Sequence, residues 1–460
     1  MHKVLQRLRS SDSGMSLLEV LVAMMIFAVV SLGVLQTLAT VLTTTRDNRA
    51  RIVAANLASQ EIDLARDASD IFTLFDDTYT KTLNGDTFTV TRSTKWVATG
   101  NTGTECGAGN GALRYKRVNV EVTWPNMRTG TDPVRFDTLL APDKRINDPE
   151  LGTILVSVRG GSGDGISGVT VSASPASPSM GAQPLTETVS ATDIQGCTFI
   201  LKVVPGHYNV TISRSGFITD KLQATSPTEL AQVAAGGAAS LSFNYDQAAT
   251  FVTRYVADPA PSTVQIPKNM ATTFVSSYGS FVSPGTNANM SRNVSLFPWR
   301  SGYTGIAGDY SPVPEDPTST EKYCASRDAA EWPNANVGGV LYSSVAPTFV
   351  AADPGGTVNL TVPMGLVSAA GLSDSTIRAT SVAPLPGSDD PGCTKDVELS
   401  FDKIKNSTAH IALPYGTWKI EKRNFLGGWN TVSLSGILDP ILGTGSASTG
   451  VVTVDPRVAP

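Results

Sequence analysis

Histidine is scarce in this chain. There are three in 460 residues, at positions 2, 207 and 410. Neither His207 nor His410 has a cysteine or an acidic cluster spaced to share a metal ion. Cysteine is almost as rare: Cys106, Cys197, Cys324 and Cys393 are widely separated, with no C-x-x-C pair, so no zinc site is expected. Charged residues make up 16% of the chain and the formal net charge is −5. That balance, without a basic cluster, excludes the electrostatic footprint of a nucleic-acid binder. Neither a G-x-S-x-G elbow nor a phosphate loop with its lysine is present. No catalytic constellation, cofactor site or metal site is therefore expected, and the chain is read as not an enzyme.

Gly163-Asp164-Gly165-Ile166-Ser167-Gly168 does fit G-x-G-x-x-G, but Val169-Thr170-Val171-Ser172 follows it. A dinucleotide site needs a helix there, whose N-terminus meets the pyrophosphate. These glycines are read as a turn between strands. Asp389-Asp390 and Glu315-Asp316 could offer oxygen ligands to calcium, with solvated loop acids the plainer reading. Trp299, Tyr303, Tyr310 and Trp332 are candidates for a ligand surface, with core or interface packing as the alternative.

Long hydrophobic runs are also rare, and the one present is decisive. From Leu17 to Leu42 the chain is apolar for longer than the ~20 residues a helix needs to cross a bilayer, and Glu19 is its one charge. An acid within such a run costs about 2.5–3.5 kcal/mol on insertion scales and marks a functional position whose partner must be found. Before it, Lys3, Arg7 and Arg9 outweigh Asp12, which holds the short leader on the cytoplasmic side and points the rest of the chain outward. An ordinary secretory signal would have a shorter core and a cut site after it. A plain anchor would leave the placement of Gly14 and Glu19 unexplained.

Gly14-Met15-Ser16-Leu17-Leu18-Glu19 resembles the processing and methylation site of type IV prepilins. The resemblance implies that a prepilin peptidase/methyltransferase cuts after Gly14 and N-methylates Met15. It further implies that Glu19 pairs with the amine of a neighbouring subunit as a filament assembles. Loss of a leader with three basic residues and one acid would take the net charge from −5 to about −7. Partners implied are the peptidase, other pilin subunits and the cytoplasmic membrane before assembly, with an unidentified surface ligand. The expected location is a single-pass cytoplasmic membrane protein with its C-terminal domains outside, later built into an extracellular pilus. The function expected is a minor type IV pilin, structural or adhesive; the alternatives are a type II secretion pseudopilin and a membrane-anchored extracellular enzyme.

Past Leu42, apolar residues recur at helical spacing at Ala50, Val53, Ala54, Leu57, Ala58, Leu64, Ala65 and Ala68. One helix is expected from about Ser16 to Ala68. Residues 70–148 should form a pilin-like head. Phe88 and Val90, and then Val118, Val120, Val122 and Trp124, alternate with polar residues as strands with one buried face do. A further strand at 134–140 completes a small antiparallel sheet, and Thr99 to Gly111 is a loop.

Beyond Asn147-Asp148-Pro149 the composition turns to Gly, Pro, Ser, Thr and Val, which suits β sandwiches. The turn Thr192-Asp193-Ile194-Gln195-Gly196, the turn Pro205-Gly206-His207-Tyr208 and the pair Gly216-Phe217 resemble the carboxypeptidase regulatory-like family. That resemblance implies a transthyretin-like sandwich over 149–246 without peptidase activity. A β-rich connecting domain is expected over 247–345 and a second, diverged sandwich over 346–460. In that second copy Gly356–Val362 parallels Gly152–Val158, Asp390–Thr394 parallels Asp193–Thr198, and Pro414–Ile420 echoes Pro205–Val210. The fold class is thus an α+β N-terminal unit, a long transmembrane helix plus antiparallel sheet, followed by mainly-β sandwich domains.

All four cysteines lie on the non-cytoplasmic side, where disulfides persist. Four cysteines allow three pairings. The favoured one joins Cys324 to Cys393 and Cys106 to Cys197, with free buried thiols as the alternative.

Overall fold

The computed structural model describes residues 16–98, 106, 113–125, 127, 132–141, 148–221, 226–256, 264–316, 318–439, 445–446 and 450–459. It divides into two units, 1–148 and 149–460.

In the first unit a single helix, α1 (Leu17–Arg66), runs for 50 residues. Ser16 caps its start in extended conformation, its hydroxyl accepting from the Leu18 amide at 3.2 Å. Asp67 closes the other end. Four strands follow as an antiparallel meander: β1 (Asp77–Leu83), β2 (Asp86–Ala98), β3 (Leu113–Thr123) and β4 (Val134–Leu140). Asn84 and Gly85, both at positive φ, make the β1–β2 connection, the residue pair that a two-residue hairpin favours because its twist matches that of the strands.

Period-2 alternation does what was expected of it. Phe88, Val90, Val118, Val120, Val122 and Trp124 all turn inward and pack on α1 through Ala50, Ala54, Leu57, Ala58, Ile62 and Ala65. Each large apolar side chain so buried contributes about 1.5–3 kcal/mol, and the alanines let helix and sheet approach closely. One residue of the expected stripe lies elsewhere: Leu64 is exposed, and the buried positions beside it are Glu61 and Ile62. The 3.6-residue period carries Leu64 away from the sheet, because Leu57, Ala58, Glu61, Ile62 and Ala65 already complete the face.

The second unit opens with a sandwich built from β5 (Gly152–Arg159), β6 (Thr170–Pro175), β7 (Cys197–Val203), β8 (Gly206–Ser213), β9 (Phe217–Thr219), β10 (Thr228–Val233) and β11 (Ala238–Gln247). One sheet is ordered β10-β8-β6 and the other β7-β5-β11-β9. Their facing sides form one core that includes Ile154, Val156, Val158, Tyr208, Val210, Ile212 and Phe243.

The turn motifs have clear physical tasks. The Asp193 carboxylate accepts from the Gln195 and Cys197 amides, both at 2.9 Å, and Gly196 takes the positive φ that the turn requires. Thr192 Oγ1 accepts from the Val169 amide at 2.9 Å and donates to the Ile166 carbonyl at 2.6 Å. These bonds tie the Gly163–Gly168 turn to it. Strand β6 follows that turn, so no helix N-terminus faces it.

The chain continues through β12 (Ala249–Tyr255), β13 (Val264–Gln265), β14 (Thr272–Ser276), β15 (Gly279–Ser283), β16 (Ser291–Leu296), β17 (Thr304–Ala307), β18 (Ala335–Val337) and β19 (Val340–Tyr342). Then come β20 (Thr357–Val362), β21 (Gly365–Ala370), β22 (Ile377–Ser381), β23 (Glu398–Ser400), β24 (Thr408–Leu413) and β25 (Gly416–Arg423). The last are β26 (Trp429–Thr431), β27 (Ser433–Asp439), β28 (Gly445–Ser446) and β29 (Val451–Val454).

The division expected at 345/346 falls inside shared structure. Strand β12 pairs in parallel with β20, β13 pairs with β24, and one core joins Tyr255, Ile266 and Met270 to Val367, Ile411, Trp418 and Val454. Local composition carries no trace of such long-range pairing.

The second sandwich also corrects the alignment read from sequence. Its sheets are β13-β24-β21-β27 and one containing β23-β22-β25-β29. The strand in the place of β5, antiparallel to the strand before the Gly-aromatic turn, is β21 and not β20, which belongs to the sheet β16-β12-β20. Cys393 precedes β23, whereas Cys197 opens β7, so the two cysteines are not at equivalent places.

The third echo has a structural counterpart. Gly206 and Gly416 both start strands at positive φ. Two residues on, Tyr208 and Trp418 are both fully buried. The Tyr208 hydroxyl lies 2.9 Å from the Val204 carbonyl and Trp418 Nε1 donates to the Pro414 carbonyl at 2.8 Å, each reaching four residues back. The inserted Tyr415 thus keeps Gly and the aromatic in register with one another.

Candidate assembly site on the N-terminal helix

Gly14 and Met15 lie outside the described residues. Glu19 sits in the first turn of α1 and is exposed, with no ion-pair partner among the described residues. The first turn is the positive end of the helix macrodipole, which favours a carboxylate by about 0.3–1 kcal/mol without any counter-ion.

From Leu17 to Leu42 no side chain is buried. Leu17 is 79% exposed, Phe27 74% and Leu42 62%. This stretch is long and apolar enough to span a membrane, and it buries no side chain against the described residues of its own unit. The threonines in it and just past it are satisfied internally: Thr37, Thr40, Thr44 and Thr45 hydroxyls donate to carbonyls four residues back at 2.7–2.9 Å, and Thr43 to one three back at 2.9 Å. Such bonding lets a threonine enter an apolar medium without an unpaired hydroxyl.

Where α1 meets the sheet, the environment reverses. Arg46 pairs with Asp86 at the start of β2. Glu61, 3% exposed, pairs with Arg92 at 2.5 Å and accepts from the Tyr79 hydroxyl at 2.9 Å. Burial, helped by the hydrogen bond to Glu61, pushes the Tyr79 hydroxyl up to about 12. Sequence reading passed over this cluster. Its signal was a lone charge at position 61, in step with Leu57, Ala58 and Ala65.

The other candidates are distributed rather than gathered. Cys324 is bonded to Cys393 across an antiparallel bridge. Cys106 and Cys197 are also in disulfide form, and no free cysteine remains among the described residues. Tyr303 and Trp332 are core residues at 3% exposure, while Trp299 and Tyr310 are half-buried. The loop acids are occupied structurally. Asp390 accepts from Thr417 and the Gly392 amide, Asp389 faces Arg457, and Asp316 caps Thr318. No group of three or more His, Cys, Asp or Glu able to hold a metal occurs among the described residues. Burial holds the Arg327 guanidinium below its ordinary value, opposed by Asp390 and Asp309, where it lies over the Trp418 ring at 4.2 Å. That group clamps the second sandwich beside the disulfide, donating to the Tyr415 carbonyl and reaching Cys393 Sγ.

Residues 9–35 match the family described as the prokaryotic N-terminal methylation motif. The chain carries a prepilin-type N-terminus. The match spans Gly14, Met15 and Glu19 and ends within the apolar run of α1. A comparison with curated proteins returns no match. Among solved structures, the chain is similar to the Bacillus anthracis TIE protein at 11% identity, covering 82% of this chain and 74% of that one, TM-score 0.20. It is also similar to a streptococcal ancillary pilin (10%, 55% of this chain and 80% of that one, TM-score 0.19). A third is BcpA, the major pilin subunit of Bacillus cereus (10%, 66% and 95%, TM-score 0.19). Likenesses of this size carry no argument about function, which rests on the N-terminal segment.

Proposed function

We propose that this chain is a minor type IV pilin: a non-catalytic subunit cut by a prepilin peptidase, held in the cytoplasmic membrane by α1, and assembled through α1 into an extracellular filament that displays the β domains. The observation that carries this reading is the Leu17–Leu42 face, apolar on all sides and bare in its own unit, with one acid in its first turn. A helix that is apolar all round must be covered by lipid or by other helices. A single acid at its start specifies a register with a cationic partner, and a methylated amine on Met15 of a neighbouring subunit supplies that cation. Bulky β domains on every subunit would crowd a filament, which favours a minor component over a major one.

The test is the mature N-terminus. Mass spectrometry of the sheared filament fraction should find the chain beginning at N-methylated Met15. A Glu19→Gln chain should be cleaved after Gly14 but largely absent from filaments, and its normal incorporation would refute the pairing. Absence of the wild-type chain from filaments, together with lost enzyme secretion on deletion, would transfer the proposal to a secretion pseudopilus.

A further inference from the structure

A cleft in the second unit, with a volume of about 490 Å³, lies between the end of the first sandwich and the β14–β15 hairpin. Its walls include Asp220, Asn244, Tyr278, Phe281, Trp299 and Tyr303. We propose that it binds a neutral oligosaccharide, a property independent of how the chain assembles.

The first reason is an aromatic plate turned outward. Tyr278 is 67% exposed, yet its ring is stacked on Trp299, with centroids 3.9 Å apart and planes 19° apart. The plate is held before any ligand arrives. The Tyr278 amide donates to Ser276 Oγ at 3.2 Å, Ser276 Oγ donates to the Gly279 carbonyl at 3.0 Å, and Ser277 Oγ donates to Ser301 Oγ at 2.8 Å. Trp299 leans on Phe297, 4.6 Å between centroids, and its carbonyl accepts from the Gly302 amide at 2.9 Å. A flat, rigid, exposed ring offers contact area at little entropic cost, and it fits the C–H face of a pyranose.

The second reason is the polar pair at the other wall. Asn244 Nδ2 donates to Asp220 Oδ2 at 2.9 Å, and Asp220 Oδ1 has no hydrogen-bond donor among the described residues. The side-chain amide keeps its second N–H and its oxygen for a ligand. A carboxylate beside an amide both accepts and donates, as neighbouring sugar hydroxyls demand. Lys221 lies in the same wall and opposes the Asp220 charge, both being felt by Glu229, so the pair leaves the cleft near neutral, which suits an uncharged ligand. The two walls are fixed with respect to each other. The Gly161 amide donates to Asp246 Oδ2 at 2.9 Å on the first sandwich, and a Cβ at Gly161 would stand 2.0 Å from the Pro298 carbonyl oxygen, next to Trp299. Only glycine permits that approach.

The experiment uses the full-length chain in a sugar-free zwitterionic detergent, titrated with cellohexaose, maltohexaose and chitohexaose while tryptophan fluorescence is followed. Trp96, Trp124, Trp332 and Trp418 are buried, which leaves Trp299 and the half-buried Trp429 able to respond; the response should vanish in Trp299→Phe and persist in Trp429→Phe. At least one of the three sugars should give saturable quenching. Tyr278→Ala, an exposed site, should weaken that binding roughly tenfold by removing the stacking plate and leave the unfolding temperature unchanged. Asp220→Asn should weaken it as well. Absence of saturable binding for all three sugars, equal affinity in Tyr278→Ala, or quenching by tetramethylammonium without quenching by sugar would each overturn the proposal.

Discussion

Between Leu17 and Leu42, α1 carries leucine, valine, methionine, isoleucine and phenylalanine and buries none of them. Between Ala50 and Ala65 the same helix carries as many alanines as larger apolar residues and buries seven side chains, Glu61 included. Hydropathy alone would rank the first half as core and the second as surface. The order is reversed because burial needs a partner. The sheet β1–β4 covers only the second half, and its close approach is what small residues allow. The first half is more hydrophobic than a lone unit can use, which is the mark of a surface made for lipid or for other helices.

Four measurements would break or sharpen this contrast, each read by hydrogen exchange of amides in β2 and β3 of the full-length chain, which reports the stability of the head in place. The largest effect is expected from Glu61→Ala, which leaves Arg92 half-sequestered without its partner and should cost about 3 kcal/mol. Leu57→Ala, in the packed half, should cost roughly 2 kcal/mol as a cavity opens under the sheet. A smaller effect concerns pH. The Tyr79 hydroxyl titrates higher folded, at about 12, than the ordinary 10 of the unfolded chain. Its contribution is therefore complete below pH 10 and is lost as pH rises from about 10 to 12; Tyr79→Phe should flatten that fall. The smallest effect is expected from Leu32→Ala in the bare half, within ~0.5 kcal/mol for the head. A loss there as large as that of Leu57→Ala would show that the two halves are not distinct.

Much of this was legible along the chain. Alternation located β2, β3 and β4, and the helix from Ser16 onward was read to within two residues of its observed end, because both signals are periodic and local. Strand β1 escaped: its residues are exposed or half-buried, so no apolar alternation marked it. The Thr-Asp-x-x-Gly and Pro-Gly-x-Tyr turns were recognisable because their geometry is set by a few adjacent side chains. The equivalence of β21 with β5 was not, since Gly356–Val362 looks like Gly152–Val158 in residue type while its hydrogen bonds run to β12. Of the aromatic candidates, Tyr303 and Trp332 went to the core, and Tyr278, which was not singled out, became the exposed ring of the cleft.

The sequence by itself determined the membrane-length helix, the acid at its start and the register of Gly14, Met15 and Glu19, because hydrophobicity and motif spacing are properties of consecutive residues. Only the tertiary structure decided that α1 is buried from Ala50 and bare before it, that Glu61 joins Arg92 and Tyr79, and that Tyr255, Ile266 and Met270 share one core with Val367, Ile411, Trp418 and Val454. Those outcomes depend on strands far apart in the chain meeting, and no local pattern records which distant surface will arrive to cover a given face.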